Sequence, residues 1–172
     1  MSEHRDFLLL PELVDLARRV VEENRAAGRR VATAESCTGG LVAAALTEIP
    51  GSSEVIDTGL VTYSSEAKCK LLGVSMDVIE TFGSVSVAVA WAMAQGALRA
   101  SDADVAVALT GIAGPAGGSE RKPVGTVVFA VAVKDGNPND IHADTKYFDD
   151  LGRGGVRLQA ALWALELLLP SP

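Results

Sequence analysis

The sequence predicts an α/β fold, a three-layer α/β/α sandwich on a mixed, mostly buried sheet, and three observations lead there. Val105–Leu109 and Val127–Val133 are unbroken apolar runs, the pattern of strands covered on both faces. Several other segments repeat apolar residues at i, i+3, i+4 and i+7, the stripe of an amphipathic helix. The two kinds of segment alternate along the chain and end in one hairpin, which favours a sheet with helices on both sides.

Residues 1–10 read as an N-terminal extension and 11–172 as a single domain. Leu13, Leu16, Ala17, Val20, Val21 and Asn24 mark a first helix, opened by Pro11 and closed at Gly28. Val31, Ala32 and Ala34 form a short strand that stops at Glu35-Ser36. Val42, Ala45, Leu46 and Ile49 then place a helix over Leu41–Ile49. Pro50–Ser53 is a turn, and Val55–Tyr63 a strand whose internal Gly59 signals a bulge or a close backbone approach. Ser64 or Ser65 caps a short helix ending at Gly73, and Ser75 starts another that ends at Gly83. After Ser84-Val85-Ser86 comes a helix that aligns Val87, Ala90, Trp91, Ala94, Ala97 and Leu98. Thr110–Gly125 is a glycine-rich loop of a length that is usually functional or disordered. Asp135–Asn139 turns the chain into a half-exposed strand, with Ile141, Ala143, Thr145 and Tyr147 on one face and His142, Asp144 and Lys146 on the wet one. The last helix covers Val156–Leu169, with Leu158, Ala161, Leu162, Leu165 and Leu169 inward.

Composition narrows the function. The 172 residues, 48% apolar and 22% charged, suit one domain with a substantial core. No apolar run is long enough to span a bilayer, since Gln159 and Glu166 break the C-terminal one. The N-terminus lacks a signal-peptide layout, so a cytoplasmic protein with two free thiols, Cys37 and Cys69, is expected. A net charge of −7 argues against a nucleic-acid or lipid-binding surface, but leaves room for a small anionic ligand in a local positive pocket. The two histidines are His4, near the N-terminus, and His142, on the wet strand face. A Ser-His-Asp triad and a zinc site are both disfavoured, and no metal or cofactor is expected.

Three segments could carry chemistry. In Thr33–Gly40, a strand gives way to a helix through a sharp turn that exposes the Ser36 hydroxyl beside helix N–H groups. Ser36 or Thr38 is either an N-cap or part of an anion-binding, nucleophilic turn. Tyr63–Lys68 puts a lysine in the first turns of a helix, where dipole and burial lower its pKa. Lys68 is then either a solvated surface charge or the neutral base of a serine, with Tyr63 relaying or orienting the proton. The Thr110–Gly118 loop leaves a buried strand, as the Ser36 turn does, and its glycines would let N–H groups approach a phosphate or carbonyl. Cys37 is a rival nucleophile or a small buried filler. Arg153 and Arg157 open the last helix, either gripping an anion or solvated.

Together, Ala34–Gly40, Gly59–Lys68 with Leu71–Val74, and Ala108–Ser119 with Lys122–Thr126 resemble the CinA C-terminal domain, the nicotinamide-nucleotide amidohydrolase (PncC) family. The resemblance runs from about Leu13 to Leu168 and looks like the family's standalone form. It implies hydrolysis of the carboxamide of nicotinamide mononucleotide to nicotinate mononucleotide and ammonia. It also implies a Ser-Tyr-Lys arrangement, carried over here to Ser36, Tyr63 and Lys68. The expected substrate contacts are Cys37, Thr38, Gly39, Gly40, Thr110, Gly111, Gly114 and Arg157, and a homo-oligomer is expected. Two departures stand out: Ser84-Val85-Ser86-Val87 where members commonly carry a Ser-Glu-Glu start, and Leu151-Gly152-Arg153 in place of a Gly-Asp-Arg lead-in. The alternatives are a nucleotide-binding module without turnover and a partner in competence or damage responses.

Overall fold

The computed structural model describes residues 6–170, so His4 lies outside the described residues. Five strands, β1 (Val31–Glu35), β2 (Ile56–Val61), β3 (Val105–Gly111), β4 (Thr126–Val133) and β5 (His142–Tyr147), form one sheet in the order β2-β1-β3-β4-β5. β1 runs parallel to β2 and β3, β4 is antiparallel to β3, and β5 is antiparallel to β4. The sheet is mixed, as expected.

Period-two alternation in the strands builds two unlike cores. Val31, Val105, Val107, Leu109, Val127 and Phe129 pack against α1 (Pro11–Ala26), α2 (Leu41–Thr47) and α6 (Gly152–Leu167). Ala32, Ala34, Ala106, Ala108, Ala130 and Ala132 face α3 (Ser65–Leu72), α4 (Met76–Phe82) and α5 (Val87–Arg99). That second face is nearly all alanine, so α5 lies close to the sheet on its own small residues, Ala90, Ala94 and Ala97. Gly96 takes the approach further: a Cβ there would sit 2.1 Å from the Leu72 carbonyl oxygen.

Three readings change and one open choice, at Gly59, is resolved. α6 begins at Gly152 rather than Val156, and it buries Val156, Ala160, Ala161, Ala164 and Leu165. Alanines set its phase, leaving Leu158, Leu162 and Leu169 only partly buried at the margin of that core. Thr110 and Gly111 belong to β3, so the loop starts at Ile112. Ile141, just before β5, and Tyr147, at its end, are 52% and 57% exposed, because α5 reaches the edge strand without covering its two ends. Gly59 marks a close approach, since a Cβ there would meet Ala43 Cβ at 2.9 Å. The bulge lies elsewhere, between Val31 and Ala32 in the β1–β2 register. At the start of the described chain, Phe7 and Leu9 pack on the first core, and the Leu8 N–H bonds the Glu48 carboxylate at 3.0 Å.

The parallel register decides where chemistry gathers. Glu35 pairs with both Val61 and Leu109, so β1, β2 and β3 all end at the same margin of the sheet. The turns after them therefore meet. In open α/β sheets, ligands bind beyond such strand ends.

Candidate active site

Glu35, the last residue of β1, shapes the first turn. Its buried carboxylate accepts from the Thr38 hydroxyl at 2.5 Å and from the N–H groups of Gly40, Val42 and Ala43 at 3.1, 3.2 and 2.9 Å. The amides at the start of α2 are thus occupied by an internal anion, which the dipole favours. Gly39 and Gly40 adopt positive φ, +61° and +95°, to bring the chain around this carboxylate. From α6, Arg157 donates through Nε to the Cys37 carbonyl at 3.1 Å and through Nη2 to that of Thr38 at 3.2 Å. Thr38, Gly39, Gly40 and Arg157 are four of the residues expected from the sequence to contact a ligand. These residues build the turn from behind and do not line the cavity in front of it.

That construction holds Ser36 steady. Its N–H donates to the Leu109 carbonyl at 3.2 Å, and its hydroxyl faces a cavity of about 300 Å³. Lys68 Nζ lies 3.1 Å from Ser36 Oγ and donates to the Thr62 carbonyl at 2.7 Å. Lys68 arrives there because α3 starts at Ser64, whose side chain accepts the Ala67 N–H at 3.1 Å, and because Lys68 shares the buried side of α3 with Leu72. Its side chain is 2% exposed, and no carboxylate pairs with it among the described residues. Desolvation lowers the lysine pKa from its ordinary 10.5, a shift that the nearby Cys37 sulfur opposes.

Cys37 lies beside this pair at 5% exposure, and burial pushes its thiol up to about 11. A thiol so disfavoured as a thiolate is a poor nucleophile near neutral pH, and Cys37 acts as wall packing. Its Sγ would be 3.1 Å from a Cβ at Gly111, which explains the glycine there. The Cys37 N–H has no oxygen acceptor among the described residues and adjoins the Ser36 hydroxyl.

Tyr63 lines the same cavity without touching Ser36 or Lys68. It is 61% exposed, and its hydroxyl accepts from Arg153 Nη2 at 2.8 Å, while Arg153 Nη1 donates to the Gly114 carbonyl at 2.7 Å. Arg153 thus spans the mouth from the β2–α3 turn to the glycine loop. Thr110, whose hydroxyl donates to the Ser84 carbonyl at 2.8 Å, lines the cavity together with Gly111 and Gly114. Two participants went unread in the sequence, the Thr62 carbonyl and the Glu35 carboxylate, while Arg153, offered there with Arg157 as a possible grip for an anion, is the one of the two that lines the cavity. Glu35 left a signal, an acid just before a helix start, whereas the Thr62 carbonyl carries no residue-type signature at all. No cluster of His, Cys, Asp or Glu suited to a metal ion occurs among the described residues, and no described helix is long and apolar enough to cross a membrane.

Residues 13–171 match the family described as the CinA C-terminal domain. The chain belongs to this family. Nicotinamide-nucleotide amidohydrolase PncC of Enterobacter agglomerans is 52% identical over 145 residues, which are 84% of this chain and 86% of that protein. A CinA-like protein of Mycobacterium avium (strain 104) is 64% identical over 107 residues, 62% of this chain but 25% of that protein. Against such mycobacterial relatives the chain spans a quarter to a third of their length. Among solved structures, the competence/damage inducible protein CihA from Agrobacterium tumefaciens is 48% identical with a TM-score of 0.88, covering 94% of this chain and 96% of that one. A CinA superfamily protein from Klebsiella pneumoniae 700603 is 37% identical with a TM-score of 0.83, covering 91% and 94%. The five-stranded mixed sheet with helices on both faces is the fold shared with these structures.

Proposed function

We propose that the chain hydrolyses the carboxamide of nicotinamide mononucleotide, giving nicotinate mononucleotide and ammonia, through a serine nucleophile and a lysine base. The observation that carries this reading is the buried Lys68 amine, unpaired with any acid and 3.1 Å from the Ser36 hydroxyl. The amidohydrolase relative, matched over most of both chains, supplies the choice of substrate.

A neutral amine has two N–H donors and one lone pair. With one N–H on the Thr62 carbonyl, its lone pair accepts the Ser36 proton as Oγ attacks the carboxamide carbon. The tetrahedral oxygen takes its negative charge next to the Cys37 N–H, the donor that follows the nucleophile in sequence and otherwise meets only its own sulfur among the described residues. Lys68 then passes its proton to the departing nitrogen, and ammonia leaves an acyl ester on Ser36. Water, deprotonated by the same amine, attacks that ester. Carboxylate departs and Ser36 regains its proton, so the site returns to its starting state.

Besides Lys68, Arg153 is the cation lining the cavity, and we assign the substrate phosphate to it. The Gly114 carbonyl and the Tyr63 hydroxyl take two of the five Arg153 N–H groups, which leaves donors for a phosphate while the phenol stays at the mouth of the site.

The test is ammonia release from nicotinamide mononucleotide by the metal-free protein, with Ser36→Ala as control. Wild type should turn over, and Ser36→Ala should lose about 10³-fold or more while keeping its far-ultraviolet spectrum. Tight calorimetric binding of the nucleotide with no ammonia from wild type would replace the amidase by a binding module. An intact rate in Ser36→Ala would reject the serine mechanism.

A further inference from the structure

We propose that two copies of this chain associate edge to edge along β5, antiparallel about Thr145, to form one continuous sheet. The idea is independent of the amidase reading. It starts from an open edge: among the described residues, β5 has β4 on one side and no strand on the other. Hydrogen-bond phase then says which residues serve that edge. The Phe148 N–H bonds the Gly125 carbonyl at 2.9 Å, and Tyr147 pairs with Thr126. Residues in phase with Phe148, namely Lys146, Asp144 and His142, therefore turn their main-chain groups toward β4. Ala143, Thr145 and Tyr147 turn theirs outward, away from the sheet.

Charge selects the register. With Thr145 opposite Thr145 of the second copy, Asp144, which pairs with Lys146 of its own strand at 2.9 Å, also faces Lys146 of the second copy, and the two-fold axis closes the four charges into one network. Ala143 and Tyr147 then exchange main-chain bonds across the axis, as does Thr145 with its counterpart. Sliding by two residues either way keeps the bonding phase but sets Asp144 against Asp144, or Lys146 against Lys146, which directly opposed strands disfavour. Only the Thr145-centred arrangement pairs opposite charges on both sides of the axis.

The apolar surface agrees. Phe82, Val87, Ile141 and Tyr147, 54%, 42%, 52% and 57% exposed, surround a hollow of about 520 Å³ on the α5 side of β5. In the proposed register, Tyr147 of one copy stands beside Ala143 of the other and reaches toward Ile141. An open edge next to such a patch is a surface that pairing with a second copy covers.

Sedimentation equilibrium at micromolar concentration tests this, with a dimer of the 17.8 kDa chain expected. Asp144→Lys should weaken association at least about tenfold, and adding Lys146→Asp should restore it by exchanging the two charges. Thr145→Pro removes an outward N–H without taking a bond from β4, and it should give a folded monomer. If the proline variant fails to fold, the charge exchange decides alone. A monomeric wild type, a dimer indifferent to Asp144→Lys, or a charge exchange that fails to restore association would each overturn the proposal.

Discussion

Lys68 sits where its charge is least welcome: it is buried, without an acid, between a hydroxyl and a carbonyl. Burial lowers its pKa, so the reactive neutral amine becomes available below the ordinary 10.5 of a free lysine. The sign follows directly. Because the working form is the deprotonated one, kcat/KM for ammonia release should rise with pH and level off above the lowered pKa. A profile flat from pH 6 to 10 would mean another base. Pattern marks Ser36 and Lys68 as candidates, one at a strand-to-helix turn and one in the first turns of a capped helix. Each keeps a plain alternative, a cap and a solvated charge, and the family resemblance is what pairs them. Their meeting was not legible in the pattern, since it depends on β1 and β2 ending side by side. Arg153 and Arg157 show the limit from the other direction. Four residues apart on one helix, they could not be told apart by pattern, yet one lines the cavity and the other holds the backbone of the Ser36 turn.

At the scale of elements, the site depends on two contacts that carry no chemistry themselves. Glu35 gathers one hydroxyl and three amides at the start of α2, which fixes the turn that presents Ser36. Glu35→Ala leaves those buried donors unsatisfied and should destabilise the fold by roughly 3 kcal/mol in urea unfolding. A loss within about 0.5 kcal/mol, the range of an ordinary surface change, would contradict that role. On the opposite face, Gly96 lets α5 press on the end of α3, the helix that carries Lys68. Gly96→Ala would place a methyl 2.1 Å from the Leu72 carbonyl oxygen, so α3 and α5 must separate. We expect a loss of about 2 kcal/mol or more, with kcat reduced as Lys68 shifts. Unchanged melting would show that this packing is looser than described. Periodicity and cap residues placed the helices but misjudged the phase of α6, because leucine marks a stripe more loudly than the alanines that are actually buried. Part of the phase of α5 was misjudged as well, since Val89 and Met93 are buried there and Val87 is not.

For the whole molecule, the unbroken apolar runs were enough to foresee a sheet covered on both sides. Strand order was not foreseeable, since parallel pairing leaves no turn in the sequence between neighbours. The wet side of β5 was underestimated for a related reason: alternation names two faces without saying whether a helix reaches either one. Global stability should also feel Lys68. Between its lowered pKa and 10.5, the unfolded chain holds a proton that the fold rejects, so stability should rise with pH across that window. Lys68→Met should remove this rise, which comparison of urea midpoints for the two proteins over that range will show. The most direct test of the account reads the amine itself. Of the five lysines, Lys68 can be assigned in a ¹³Cε NMR spectrum by its disappearance in Lys68→Met. The account predicts that its resonance titrates below the exposed lysines. Titration together with them near 10.5 would mean that the amine is no more willing than an ordinary lysine to take a proton from Ser36.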